Sequence, residues 1–200
     1  MLYKPLFIVL DGIDGSGSST HSIILKGYLE SKGLKVHLTH EPSNNKIGKL
    51  LRTYLKDKDI SPITDALLFA ADRSLHYFRE IKENLYKGIS VISDRYIESS
   101  IVYQSLSSKE ISVDWVKLIN QHVGKPDITI ILDIDPRISL KRKNEQELEK
   151  FEDVTFLDDA RNLYLSRARE EGYNVINSDD VIELVQEKIQ EIVNNNLKEL

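Results

Sequence analysis

Five short apolar runs rich in β-branched residues recur along the chain, at residues 6–10, 36–39, 89–93, 128–132 and 173–176. Segments with helical periodicity separate each run from the next, at 19–31, 47–56, 63–86, 97–106, 113–122, 136–144, 154–170 and 181–197. Strands that bury both faces read as continuous apolar runs, and parallel strands need helical crossovers to connect them. The pattern therefore predicts an α/β fold, a five-stranded parallel sheet flanked by helices, with right-handed crossovers. Local chemistry marks several boundaries. Gly33 and Gly88 suit helix C-caps, Pro136 suits a first helical turn, and Ser178 or Asp179 is expected to cap the last helix. The asparagine-rich tail at 194–197 is expected to fray.

The turn after the first run narrows the chemistry. Residues 12–20 read GIDGSGSST, a glycine-rich turn between a strand and a helix with the spacing of a phosphate-binding P-loop. Gly12, Gly15 and Gly17 free the backbone to curl around an anion, with Ile13, Asp14 and Ser16 between them. Ser18 and Thr20 flank Ser19, whose hydroxyl occupies the position that reaches magnesium in this motif. Ser18 stands where the motif carries lysine, so the cradle lacks its mobile positive charge. The competing reading is a glycine-rich turn with no ligand.

Composition bounds the alternatives. The 200 residues suffice for one domain with a proper core, here 1–200 with no linker or internal repeat. The apolar fraction of 40% and charged fraction of 30% are ordinary for a soluble protein, and no apolar run is long enough for a membrane span. The chain enters its first strand almost at once, so no signal peptide is expected and the expected compartment is the cytoplasm. It contains no cysteine, which excludes disulfides, thiolate metal sites and cysteine nucleophiles. A net charge of -5 argues against a general nucleic-acid binder while leaving room for a local basic pocket. The histidines are scattered and suggest no metal cluster.

Two further segments supply side chains for such a pocket. In LLFAADR, Phe69 and Arg73 lie one helical turn apart, so a flat ring and a guanidinium fork could stack a base and grip a phosphate. A core phenylalanine beside a surface arginine is the plainer reading. In SDRY, Asp94 and Arg95 fall at the carboxyl end of the third strand, where open parallel sheets bind ligands. Asp94 suits a magnesium-water shell, and Arg95 suits charge on a transferring phosphoryl group; a local ion pair is the alternative. The next helix spaces Tyr96, Ser100, Tyr103 and Gln104 so that they line one pocket wall.

GIDGSGSST, LLFAADR, SDRY followed by SSIVYQ, and KPDITIILDIDP, in this order, resemble the thymidylate kinase family, and the resemblance covers nearly the whole chain. It implies the P-loop kinase fold with a short lid, placed at 142–152, and transfer of the ATP γ-phosphoryl group to dTMP, giving dTDP and ADP with Mg2+. The implied ATP site is Gly12, Ile13, Asp14, Gly15, Ser16, Gly17, Ser18, Ser19 and Thr20. Asp14 is implied to contact the deoxyribose 3′-hydroxyl, Phe69 to stack on thymine, Arg73 to hold the base or phosphate end, and Arg95 to touch the acceptor phosphate. Tyr103 is implied to disfavour a ribose 2′-hydroxyl, with Ser100 and Gln104 lining the same pocket, and Ser19 with Asp94 to hold magnesium. The segment HEPSNNKIGKLLR is similar to the loop and helix carrying Glu41, Pro42 and Arg52; no arginine stands at 43–45, which leaves Arg73 and Arg95 for the acceptor phosphate.

Family members carry a catalytic arginine in the P-loop or in the lid. Gly15 and Ser16 leave none in the P-loop, so Arg142, flanked by Lys141 and Lys143, is the candidate, with Arg137 as a lesser one. A missing preorganised contact costs about 10²- to 10³-fold in rate, and an arginine finger contributes about 10³- to 10⁵-fold. The family implies a homodimer. The alternatives are a kinase with dUMP or a deoxynucleoside as acceptor, and a nucleotide-binding protein without turnover.

Overall fold

The computed structural model describes residues 4–55, 60–142 and 153–197. Most of the proposed lid, 143–152, with Lys143, lies outside the described residues. Strands β1 (Phe7–Gly12), β2 (Val36–His40), β3 (Ser90–Asp94), β4 (Ile128–Asp133) and β5 (Asn174–Asn177) form one sheet in the order β2-β3-β1-β4-β5. Every pairing is parallel, with Leu10 beside Asp94 on one side of β1 and beside Ile130 on the other.

Alternation along β1 divides the core. Leu6, Ile8 and Leu10 point to one face, where α1 (Ser18–Ser31) and α9 (Ile182–Asn196) supply Leu25, Leu29, Val185, Ile189 and Val193. Phe7 and Val9 point to the other, against Tyr96 and Ile81. That second face is covered by α3 (Pro62–His76), α4 (Lys82–Tyr86), α5 (Ile97–Ser107) and α8 (Val154–Glu171). Shorter helices complete the chain: α2 (Lys46–Tyr54), α6 (Val113–Ile119) and α7 (Pro136–Arg142).

Several local expectations change. The helix expected over 63–86 is interrupted by a π-helical turn, Tyr77–Ile81, which buries Ile81 and lays the Tyr77 ring against Gly124; a Cβ on Gly124 would stand 2.6 Å from a ring carbon. Helix α6 stops at Ile119 and frees Asn120 to turn its side chain inward, where it accepts from Arg73. Neither Ser178 nor Asp179 caps α9. Its first turn follows Val181, and Ser178 instead donates from its backbone N–H and its hydroxyl to the Asp133 carbonyl, stapling the loop after β5 to the end of β4. The tail is helical through Asn196 and held by the bond between Asn194 and the Tyr28 hydroxyl.

The turn after β1 is built on close approaches. A Cβ on Gly15 would lie 2.6 Å from the Ser139 carbonyl oxygen, because α7 packs directly against the loop, and Gly15 has φ +79°. Gly27, on the exposed face of α1, has nothing within 4 Å of its Cβ position. Gly15→Ala is therefore expected to lower stability by more than about 1 kcal/mol, and Gly27→Ala to raise it by about 0.5–1 kcal/mol. Urea denaturation of the two variants beside the parent protein measures both signs.

Candidate active site

The site forms where β1 and β3 end side by side, since their neighbouring crossovers leave the sheet in different directions and open a crevice there. Gly17 begins α1 at φ +94° and offers no capping side chain, so the first amides of a 14-residue helix remain available to an anion. The Ser16 hydroxyl, buried inside the loop, has no protein partner. Ser18 is buried at the head of α1, while Ser19 and Thr20 are exposed. The Ser19 hydroxyl donates to Asp94, whose other carboxylate oxygen is buried and has no protein partner. A buried carboxylate oxygen without a donor costs free energy unless a ligand fills the gap. One carboxylate and one hydroxyl suit a magnesium ion that takes its remaining ligands from phosphates and water. Among the described residues no group of three or more His, Cys, Asp or Glu is arranged to hold a metal by itself.

Asp11 organises the next layer, and sequence reasoning passed it over. It is fully buried, and burial raises its pKa, against the opposing pull of Arg95 and of its hydrogen-bond donors. One carboxylate oxygen accepts from the Gly12 N–H at 2.9 Å, the Ser99 hydroxyl at 2.6 Å and the Tyr164 hydroxyl at 2.7 Å. The other accepts from the backbone N–H groups of Tyr96 and Ser99 at 3.2 and 3.1 Å. These two amides belong to the first turn of α5, whose N-cap residue Tyr96 has no side-chain cap of its own. A carboxylate on β1 thus caps α5 and fixes where that helix starts.

The start of α5 aims Arg95. Its backbone is left-handed at φ +71°, a costly conformation for a non-glycine residue. It is held by Arg95 N–H donating to the Leu10 carbonyl at 2.9 Å and by the Ser93 hydroxyl donating to the Arg95 carbonyl at 2.7 Å. The guanidinium donates to the Ser99 hydroxyl at 3.0 Å and to Asp14, and lies 5.5 Å from the Tyr103 ring centroid. Burial works against its charge, but Asp14 beside it raises the pKa still further, so it stays cationic.

A cavity of about 110 Å³ opens beside Arg95, and Asp14, Phe69, Arg73, Tyr103 and Gln104 line it as expected. Glu41, Pro42, Leu55 and Ser99 join them. Gln104 is buried and its carbonyl oxygen has no partner, an acceptor waiting at the pocket wall. The Tyr103 hydroxyl accepts from the Asp14 N–H at 3.2 Å, which ties the aromatic wall to the P-loop. The wall differs from the expected one in two places. Ser100 sits behind Arg73, donor to its hydroxyl at 2.9 Å, and Ser99 faces the cavity in its place. Tyr96 turns into the core, edge-on to Phe7 at 5.0 Å, with its hydroxyl donating to the Gly124 carbonyl.

Arg73 corrects a second expectation. It is 1% exposed, and four of its five N–H groups are taken by Glu41, Asn120, the Tyr96 carbonyl and Ser100. An arginine so committed is a fixed edge of the pocket floor rather than the surface side chain of the plainer reading. Glu41 also accepts from His76 at 3.1 Å. Burial alone would lower the His76 pKa, but hydrogen bonds and charge from Glu41 and Glu80 push it up to about 9. Phe69 keeps partial exposure at the cavity, consistent with a stacking face.

Arg142 lies at the C-terminal end of α7 and is partly exposed. It donates to the Gly15 carbonyl at 3.5 Å and to the Ser178 carbonyl at 3.1 Å. It stands beside the P-loop position where Gly15 leaves no room for a side chain. Arg137 is farther out and pairs with Asp135 at 3.5 Å. A larger cavity of about 740 Å³ opens around the other ends of β1 and β4, lined among others by Lys117, Lys125, Arg167, Glu98, Glu171 and Asp127; its opposing charges offset one another, and it holds none of the phosphate-directed groups described above.

The thymidylate kinase family model matches residues 10–189. A probable thymidylate kinase of Pyrobaculum aerophilum is 46% identical over 189 residues, covering 94% of this chain and 95% of that one. Probable thymidylate kinases of Methanocaldococcus jannaschii and Caldivirga maquilingensis are 40% and 37% identical, with 94% and 96% of this chain covered and 94% and 95% of theirs.

His76 makes the pocket floor sensitive to pH. Its pKa is raised above the ordinary 6.5, so the stability its charge contributes is full below pH 6.5 and is lost as pH rises through about 9. The urea midpoint is expected to fall across that window, and less steeply in His76→Gln. Parallel pH profiles for the two proteins would contradict the assignment.

Proposed function

This chain belongs to the thymidylate kinase family, and from that premise we propose how its own residues carry out the family's reaction. It is an ATP-dependent phosphotransferase that converts dTMP to dTDP. In our reading it is a single domain over 1–200 with a lid at 142–152, and it transfers the phosphoryl group directly. An oxygen of the dTMP phosphate attacks the γ-phosphorus, the bond to the bridging oxygen breaks, and ADP leaves in line. Positioning and charge stabilisation supply nearly all the catalysis in such a transfer.

The uncapped head of α1, with the amides around Gly15 and Gly17, cradles the donor phosphates. Ser19 and Asp94 are the residues that would hold Mg2+. When bound, the ion neutralises charge on the donor phosphates. Arg95 holds the acceptor phosphate and keeps its oxygen directed toward the donor, and Asp14 orients both Arg95 and the sugar. Phe69 stacks on the base, Gln104 accepts the ring N–H through its unpartnered carbonyl, and Arg73 borders the base end of the cavity. Tyr103 closes the wall where a ribose 2′-hydroxyl would sit. The buried Gln104 acceptor carries this assignment, because a base that matches it repays a desolvation cost already incurred by the fold.

Ser18 leaves the cradle without its lysine, and Arg142 is the cation we assign to the transferred phosphate, supported by its place beside Gly15. A homodimer fits the exposed apolar side chains of Ile63 and Leu67 on α3, Phe78 in the π turn that follows it, and Leu50 on α2. The reading is of a cytoplasmic enzyme; no described helix is long and apolar enough to cross a membrane.

Steady-state formation of dTDP with ATP and magnesium, against dUMP and thymidine, tests the reading. Turnover of dTMP is expected, with Arg142→Ala lowering kcat by about 10²-fold or more and Phe69→Ala raising mainly the KM for dTMP. Nucleotide binding without turnover would make Ser18 the lesion. Unchanged kcat in Arg142→Ala would remove that residue from the mechanism.

A further inference from the structure

Two hydroxyls outside the expected site converge on one buried oxygen. Ser99 and Tyr164 both reach the Asp11 oxygen that also takes the Gly12 N–H, at 2.6 and 2.7 Å, and they stand 3.0 Å from each other. Tyr164 comes from α8, 1% exposed, and its ring lies 6.5 Å from that of Tyr103. Its hydroxyl stays protonated, since burial and the adjacent Asp11 charge both raise its pKa. Asp11 accepts these bonds, so the Ser99 proton points toward the carboxylate. The Ser99 lone pairs are thereby left facing outward, where the Arg95 guanidinium donates at 3.0 Å. A hydroxyl free to rotate would offer Arg95 no fixed acceptor.

We infer that Ser99 and Tyr164 are positioning residues for Arg95: with Asp11 they lock the guanidinium in the orientation that receives the acceptor phosphate. The inference rests on the assignment of Arg95 to that phosphate. It makes α8, the helix that follows the lid segment in sequence, part of the acceptor site, so the two substrates' sides share one hydrogen-bonded unit. Asp14 holds a second edge of the same guanidinium. Loss of Ser99 or Tyr164 therefore loosens Arg95 without releasing it.

The test separates phosphate recognition from general damage to the pocket. Equilibrium binding of dTMP and of thymidine is measured on the full chain for the parent protein, Tyr164→Phe, Ser99→Ala and the double variant. Each single variant is expected to weaken dTMP by about fivefold to tenfold, the scale of one ordinary hydrogen bond, while thymidine affinity stays within about twofold. The double variant is expected to lose little more than either single one, since the two residues act through one contact. An equal fall for dTMP and thymidine would mean a structural role and overturn the inference, as would unchanged dTMP affinity in both single variants. If either variant fails to fold, the other decides. Turnover by the parent protein judges the kinase reading separately. Should another nucleoside monophosphate prove to be the acceptor, the same comparison is made with that monophosphate and its nucleoside.

Discussion

A single carboxylate at the end of the central strand holds the site together. Asp11 has no access to water, so its charge must be met by protein donors, and it takes them from β1, from the first turn of α5 and from α8. Because the donors on α5 are backbone amides, the carboxylate sets the helix origin, and every pocket residue on α5 inherits its position from that origin. Arg95 immediately precedes the helix in a strained conformation, which persists only where the surroundings enforce it. Asp14, three residues beyond Asp11, then meets Arg95 from the P-loop side. The glycine-rich turn and the cavity beside Arg95 are thus registered to each other through a span of a few residues.

A second buried network steadies the pocket floor. Glu41 lies between Arg73 and His76, and His76 is shared with Glu80 and Thr39. Removing one member of such a set leaves an uncompensated buried charge, at a cost of about 3–5 kcal/mol. This network gives Arg73 its fixed direction. It makes Arg73 a rigid edge of the cavity, and through Thr39 it connects the floor to β2, at the margin of the sheet. Two cations stand near the turn that lacks the P-loop lysine, Arg95 paired with Asp14 and Arg142 beside Gly15.

The strands and the phosphate turn were legible because burial on two faces and glycine-rich turns leave marks in a single run of residues. The meeting of Phe69 from α3, Arg95 after β3, and Tyr103 and Gln104 from α5 at one cavity was legible from their places at a strand end and on two helices. The exchange of Ser99 for Ser100 was not: neighbours on a helix point about 100° apart, and small errors in the origin of the helix move either one onto the wall. Asp11, one residue past the first apolar run, went unread, although a charge that closes a buried strand is a usable signal. Tyr164, Asn120 and His76 reach Asp11, Arg73 and Glu41, partners distant in sequence, and local spacing does not mark those contacts. The π turn at Tyr77–Ile81, which sets the Tyr77 ring against Gly124, likewise leaves no mark in the local sequence.

The most direct measurement is amide hydrogen exchange in Asp11→Asn beside the parent protein. An isosteric amide keeps the volume and removes the charge that the α5 amides face. If Asp11 anchors α5, exchange at Tyr96 and Ser99 rises by about tenfold or more, a local loss of about 1.4 kcal/mol, while Leu25 and Leu29 in α1 keep their protection. Unchanged exchange at Ser99 in a folded variant would show that α5 finds its origin without Asp11, and would contradict the dependence of the cavity wall on that carboxylate.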